Sequence, residues 1–326
     1  MLSRTAENLY WMARHIERAE NTARLLDATY HSLLMPGHNQ ESPNAPSWEV
    51  PLISMGLIEH FYELFTQLTP ENILQYLVTS SDNQSSIFSS LAAARENART
   101  VRGAITSEMW ESINSTWLEF KDMSDLQLNP SQVGKLFDRV KRRSHVFRGV
   151  TVGTALHDEA YHFIRLGSFM ERADNTARIL DVKYHILLPT IDDIGGAVDY
   201  YQWGALLKSV SAFEAYRKIY RDVIDAQKVA ELLILRMNMP RSLHACLDEI
   251  DGILNIMITL NNYEARRLSG EIHAKLHYGQ IKTIIKRGLH EYLSEFINDM
   301  ALLSTEINRS FFAINHDWFS DRPYFS

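Results

Sequence analysis

Residues 17–34, ERAENTARLLDATYHSLL, return at residues 171–188 as ERADNTARILDVKYHILL, and the two windows agree at 13 of 18 places. A chain that carries one segment twice has to give it equivalent surroundings twice, which restricts the fold to architectures built from two copies of one unit. The register persists beyond the window. Trp48 answers Trp203 at a shift of 155, and residues 77–91 align with 233–247 at a shift of 156 through Leu77/Leu233, Ser86/Ser242 and Leu91/Leu247. We expect two divergent helical repeats, residues 1–150 and 151–326.

The repeated segment reads as a long amphipathic helix. At about 100° per residue, Met12, Ile16, Ala19, Ala23, Leu26, Tyr30 and Leu33 fall on one face. Apolar positions at helical spacing recur through 52–65, 87–117, 136–146, 206–220, 243–260 and 281–312, with no convincing period-two strand between them. The Pro- and Asn-rich stretch 36–47, and Pro189 with Gly195 and Gly196 in the second copy, predict loops that stop the long helix in both halves. The expected fold class is therefore all-α, a helical bundle of two pseudo-symmetric repeats with the long helices near the axis.

Charge and composition exclude several functions. A net charge of -7 and a pI near 6.0 argue against a nucleic-acid binder. The basic stretch Lys135, Arg139, Lys141, Arg142, Arg143 and Arg148 reads as a solvated helix face. The single cysteine, Cys246, sits in an apolar periodic segment and fits a reducing compartment. The chain opens on charged residues without the apolar core of a signal peptide, and the apolar run 253–260 is too short to span a bilayer, so a cytoplasmic, non-membrane protein is expected.

The opposite face of the repeated helix carries the candidate chemistry. Arg14, Glu17, Glu20, Asn21, Arg24, Asp27 and His31 lie there. Five of these positions are identical in the second copy (Glu171, Asn175, Arg178, Asp181, His185), and Asp174 keeps the charge of Glu20. Solvated positions drift apart, as Thr29 and Lys183 have, so this face is expected to be packed, with its charges paired. Glu17, Glu20, Glu171 and Asp174 are the candidate acid–base carboxylates, able to approach across a pseudo-twofold axis. Arg14, Asn21, Arg24, Asn175 and Arg178 are candidate substrate-binding groups. A second polar cluster adds Arg95, Asn97 and Arg99, a basic face suited to a carboxylate or to the acidic segment Asp248-Glu249-Ile250-Asp251.

Three motifs in order, MLSRTAENLYWMARHIERAENTARLLD, ARENARTVRGAITSEMWESIN and FMERADNTARILDVKYHILLP, resemble the bacterial alpha-E domain family over essentially the whole chain. The departures are Ser168, where that family commonly has Arg, and Asn83-Gln84-Ser85-Ser86-Ile87 in place of an N-P-R-S-I segment. The second copy keeps Pro240-Arg241-Ser242-Leu243. The resemblance implies a working association with a circularly permuted ATP-grasp protein of the amide-ligase type, and with transglutaminase-like proteins, hence peptide or amide-bond chemistry. It assigns no step to this chain, which could equally be a helical scaffold for that system.

Other chemistries have weaker support. Only one Glu-x-x-His spacing occurs, Glu159 with His162, where a di-metal bundle needs two; His273 and His277 read as an isolated pair, so no metal is expected. There is no G-x-S-x-G elbow and no phosphate loop of either common type, so no nucleotide cofactor is expected on this chain itself.

Overall fold

The computed structural model describes residues 1–33, 48–122, 133–187, 197–258 and 261–313. The linker segments expected to follow each long helix fall outside the described residues. Those residues form helices only, with no strand among them. In the first half these are α1 (Ser3–Leu33), α2 (Val50–Met55), α3 (Ile58–Leu64), α4 (Pro70–Leu74, continued by a π-turn Gln75–Thr79), α5 (Ile87–Thr100), α6 (Ser107–Phe120) and α7 (Val133–Thr154). Then come α8 (Glu159–Leu187), α9 (Ala197–Ser209), α10 (Phe213–Tyr220), α11 (Ala226–Ile234), α12 (Leu243–Ile256), α13 (Tyr263–His277), α14 (Ile281–Arg287) and α15 (Leu289–Ile307). None is long and apolar enough to cross a membrane.

Several of the periodic stretches are broken where the backbone must reverse. Gly56, between α2 and α3, has φ +66°, and Gly288, between α14 and α15, has φ +109°, conformations that side-chain-bearing residues rarely adopt. The stretch 87–117 divides into α5 and α6, and Thr106 caps the second piece through the Met109 amide.

The two long helices, α1 and α8, pack on each other at the centre, and α5, α7 and α9 surround α1 while α12 and α15 flank α8. The closest approach of the pair is set by Gly167 of α8. A Cβ there would stand 2.2 Å from the carbonyl oxygen of Tyr10, so only glycine lets the backbones meet. Gly167→Ala should therefore force the helices apart and lower stability by at least about 1–3 kcal/mol, the usual cost of overpacking a tight core. An unchanged urea midpoint would show that the helices do not meet at this residue.

Burial follows the repeat. The buried positions of α5 (Ile87, Ser90, Leu91, Ala94, Ala98) correspond at a shift of 156 to Leu243, Cys246, Leu247, Ile250 and Leu254 of α12, all buried. The buried set of α7, Val133, Phe137, Val140, Ser144, Phe147 and Thr151, maps at the same shift onto that of α15, Leu289, Leu293, Phe296, Met300, Leu303 and Ile307. The helix starts match as well: Ser86 caps α5 and donates to the Ser80 carbonyl, while Ser242 caps α12 and donates to the Arg236 carbonyl. The expected boundary at residue 150 falls inside the last turn of α7, and one continuous core joins residues of α1, α5 and α6 to α8, α12 and α13.

Candidate functional site

The Glu-Arg pair that opens each repeated segment is used between α1 and α8. Arg172 of α8 donates to Glu17 of α1 from Nε (3.0 Å) and Nη2 (2.9 Å), a two-pronged contact. Arg18 of α1 answers with the same contact to Glu171 of α8, at 2.6 and 3.1 Å. The next turn repeats too, with Arg24 donating to Glu20 and Arg178 to Asp174, each at 2.7 Å. The two Glu-Arg contacts thus make an ion-pair lattice that ties the central helices together, and the Glu20–Arg24 and Asp174–Arg178 pairs extend it along α1 and α8 respectively.

The lattice is closed around α1. Arg241, from the loop before α12, enters with Nη1 3.0 Å from both Glu17 and the side-chain Oδ1 of Asn21, and Nη2 2.7 Å from Glu20. From α7, Ser144 donates to Glu20 at 2.6 Å, and Arg148 bonds both carboxylates, 2.9 Å from Glu17. Glu17 and Glu20 are 2% and 0% exposed. Burial alone would raise their pKa values, but Arg172 and Arg241 overturn it at Glu17. At Glu20, Arg241, His145 and Arg148 overturn it further, holding that carboxyl well below the ordinary range. Carboxylates so enclosed neither release nor take up a proton near neutrality.

Around α8 the same frame is open. The positions that correspond to Arg241, His145 and Arg148 at a shift of 156 are Ser85, Ala301 and Ser304, and Met300 stands for Ser144. All four line a cavity of about 520 Å³, together with Arg14, Arg18, Asn21, Thr22, Ser54, Glu171, Asp174, Asn175 and Arg178. That volume is in the range of small-molecule sites. Arg14, whose place in α8 is taken by Ser168, donates to Glu171 at 2.8 Å and reaches the hydroxyls of Tyr10 (3.2 Å) and Ser304 (3.3 Å). Glu171 is also buried, and burial would again raise its pKa, but Arg14 and Arg18 bring it down to about 2. Asp174 and Arg178 are only half-buried. Two buried polar atoms of cavity-lining residues, Asn21 Nδ2 and Thr22 Oγ1, have no hydrogen-bond partner.

Of the residues expected from the sequence, Glu17, Glu20, Asn21 and Arg24 gather in the closed part, with Asn21 reaching both parts. Arg14, Glu171, Asp174, Asn175 and Arg178 gather in the open part. Arg95, Asn97 and Arg99 do not line the cavity. Arg95 and Arg99 pair with Glu96 on the surface of α5, at 2.7 and 2.9 Å, and Asn97 is half-buried on the same helix. The acidic segment does not answer them: Asp248 meets His273, Glu249 meets Arg165, and Asp251 accepts from Ser269. The basic stretch is not simply a solvated face either. Arg148 reaches the buried carboxylates, Lys141 meets Asp27 at 2.8 Å, and Arg143 pairs with Glu119. Sequence reasoning also passed over Arg18, Arg172 and Arg241. Their signal was available, since the first two complete the duplicated Glu-Arg pair and Arg241 stands where the first copy has Ser85.

Comparison with known proteins agrees with this architecture. Uncharacterized proteins of Mycobacterium bovis and Mycobacterium tuberculosis are each 21% identical to the chain over 312 residues. These alignments take in 90% of this chain but 35% of either relative, so the chain spans about a third of their length. No solved structure matches it. A family described as a predicted alpha-helical domain with a conserved ER motif matches residues 1–312. The Glu-Arg pair stands twice here, at Glu17-Arg18 and Glu171-Arg172, and joins the two central helices; the chain belongs to the Alpha-E family.

Proposed function

We propose that this chain is the ligand-holding member of an amide-bond-forming system. In this reading it binds an amino acid or peptide terminus in the open cavity beside α8 and presents it to an ATP-grasp ligase, with a transglutaminase-like protein as a further partner. The reading also takes the two halves, 1–150 and 151–326, as repeats related by a pseudo-twofold axis between α1 and α8. One closed copy then serves as framework and one open copy as site.

The observation that carries it is the asymmetry of the ion-pair lattice: Ser85, Ala301 and Ser304 leave space where Arg241, His145 and Arg148 fill it in the other copy. The cavity walls suit a zwitterion. Arg14, Arg18 and the unpartnered Nδ2 of Asn21 favour a carboxylate, and half-exposed Asp174 offers a counter-charge for an ammonium group. Glu171, held near 2, stays ionised and serves to fix the two arginines in place rather than to transfer protons. A purely scaffolding role has one observation in its favour, the closed state of the Glu17 and Glu20 cluster, and that role is assigned here to the α1 side alone.

The test fills the cavity with the side chain the other copy uses. Ser85→Arg should leave the helical content and urea midpoint near wild type, and should abolish the binding of amino acids or short peptides seen by calorimetry. In mixtures with an ATP-grasp ligase of the amide-forming type, ATP and amino acids, wild type should support product formation and Ser85→Arg should not. A wild-type chain that binds no member of such a panel and leaves the product profile unchanged would end the proposal.

A further inference from the structure

A second polar site lies away from the cavity, where the start of α12 meets the end of α13. His244 of α12 and His273 and His277 of α13 each place a ring nitrogen within 4.8 Å of the others. Their rings form a nearly equilateral triangle, with centroids 5.8, 5.5 and 5.7 Å apart. Asp248, one turn beyond His244, joins them: its Oδ1 lies 2.7 Å from His273 Nε2 and 3.5 Å from His244 Nε2.

The buried histidine is oriented as a ligand. Its Nδ1 lies 2.9 Å from the carbonyl of Leu235 at the end of α11; a carbonyl only accepts, so Nδ1 carries the proton and the Nε2 lone pair is turned the other way. That Nε2 is buried and has no hydrogen-bond partner, in a residue only 5% exposed. An imidazole whose far nitrogen is fixed by a backbone carbonyl, with its near nitrogen left unpaired, is the arrangement found at metal-ligating histidines. His273 and His277 stand one turn apart on α13, and His277 ends that helix, where the partial negative charge of the last carbonyls favours a cation. We propose that His244, His273, His277 and Asp248 form a site for a divalent transition metal of the zinc class.

Three imidazoles and one carboxylate match the donor preference of zinc and its neighbours and not that of calcium or magnesium, which take oxygen ligands. Tetrahedral zinc, with nitrogens about 2.0–2.1 Å away, holds them roughly 3.3 Å from one another, closer than the 4.8 Å within which the ligand atoms stand here, so binding requires His273 and His277 to turn inward. His277 is exposed and His273 half-buried, which gives the ion an entry path. The ion would clip α13 to the start of α12, three residues from Arg241 of the closed lattice. The first repeat has Phe88 where the second has His244, so the site belongs to one copy only.

The full chain, free of any histidine tag, stripped with a chelator and titrated with zinc alone, should take up one equivalent saturably and melt at a higher temperature when loaded. His273→Ala and His277→Ala, both outside the deep core, should each keep the fold by circular dichroism and weaken zinc binding by at least about tenfold. His31→Ala, a surface histidine on α1, should leave the titration unchanged. Cobalt in place of zinc should give the visible absorption of a four-coordinate ion in the wild type and lose it in the two α13 variants. Absence of saturable binding in the wild type would overturn the site, as would zinc affinity untouched by His273→Ala and His277→Ala, or lowered as much by His31→Ala.

Discussion

Glu17→Ala is expected to cost about 3–5 kcal/mol of folding stability, the range found when one partner is removed from a buried charge cluster. Glu17 accepts from Arg172, Arg241 and Arg148, and the first two are 8% and 6% exposed. Without Glu17, Arg172 loses its bidentate partner, and Arg241 keeps only Glu20 and the side-chain Oδ1 of Asn21. The guanidinium cannot lose its charge to escape burial, because its ordinary pKa lies far above neutrality. Glu171→Ala should cost distinctly less. Its partners Arg14 and Arg18 are 13% and 21% exposed and line the cavity, where water can take over the lost contacts. Guanidinium unfolding midpoints of the two variants, at equal slope, measure the difference. A loss of no more than about 0.5 kcal/mol for Glu17→Ala would be surface behaviour and would contradict the closed lattice. A double-mutant cycle between Glu17→Ala and Arg241→Ala should show strong coupling, since the two residues share one network.

What could be read from the sequence divides along physical lines. The helix periodicity announced an all-helical chain, and the described residues are helical; the thirteen shared residues announced a packed polar face, which the structure has on α1 at Glu17, Glu20, Asn21 and Arg24 but leaves partly open around α8. Helices α7 and α15 were not paired in advance, because they share no identical residue over the 22 positions of α7. Only the period of burial survives there, and it becomes visible once the buried side chains are known. Arg148 was misread for a related reason. It lies in a run of lysines and arginines, and whether one member of such a run turns inward depends on what faces it, here Glu17 and Glu20 from a helix about 130 residues earlier. Arg95 and Arg99 went the other way: a basic stripe looked like a ligand surface, but Glu96, on the same helix, was already at hand. The open cavity was the least legible feature. It results from four substitutions between copies, each ordinary alone, whose positions converge only in three dimensions.

Acid should unfold this protein by steps that can be assigned. Glu171 has a pKa of about 2 in the folded chain against an ordinary 4.5, because Arg14 and Arg18 outweigh the opposing effect of burial. Between these values the unfolded chain binds the proton more readily, so this group's stabilisation is complete above about pH 4.5 and is lost as pH falls towards 2. His15 acts in the same direction at higher pH. Burial, reinforced by Arg18, brings its pKa from 6.5 to about 4, so the folded state favours the neutral ring and loses that advantage as pH falls from about 6.5 towards 4. Stability measured by urea midpoint should therefore decline in two stages between pH 7 and 3, the first belonging to His15 and the second to Glu171 with its lowered companions Glu17 and Glu20. His15→Gln should flatten the upper stage and leave the lower one. Glu171→Gln should start from a lower stability at pH 7, because Arg14 and Arg18 lose their counter-charge, and should then fall less steeply below pH 4.5. The general gain of positive charge on acidification acts on both variants almost as on wild type, so it cannot mimic these selective changes. Stability that stays level from pH 7 to 3, or lower stages equally steep in Glu171→Gln and wild type, would mean that the Arg14–Glu171–Arg18 contact does not hold the α8 side of the lattice.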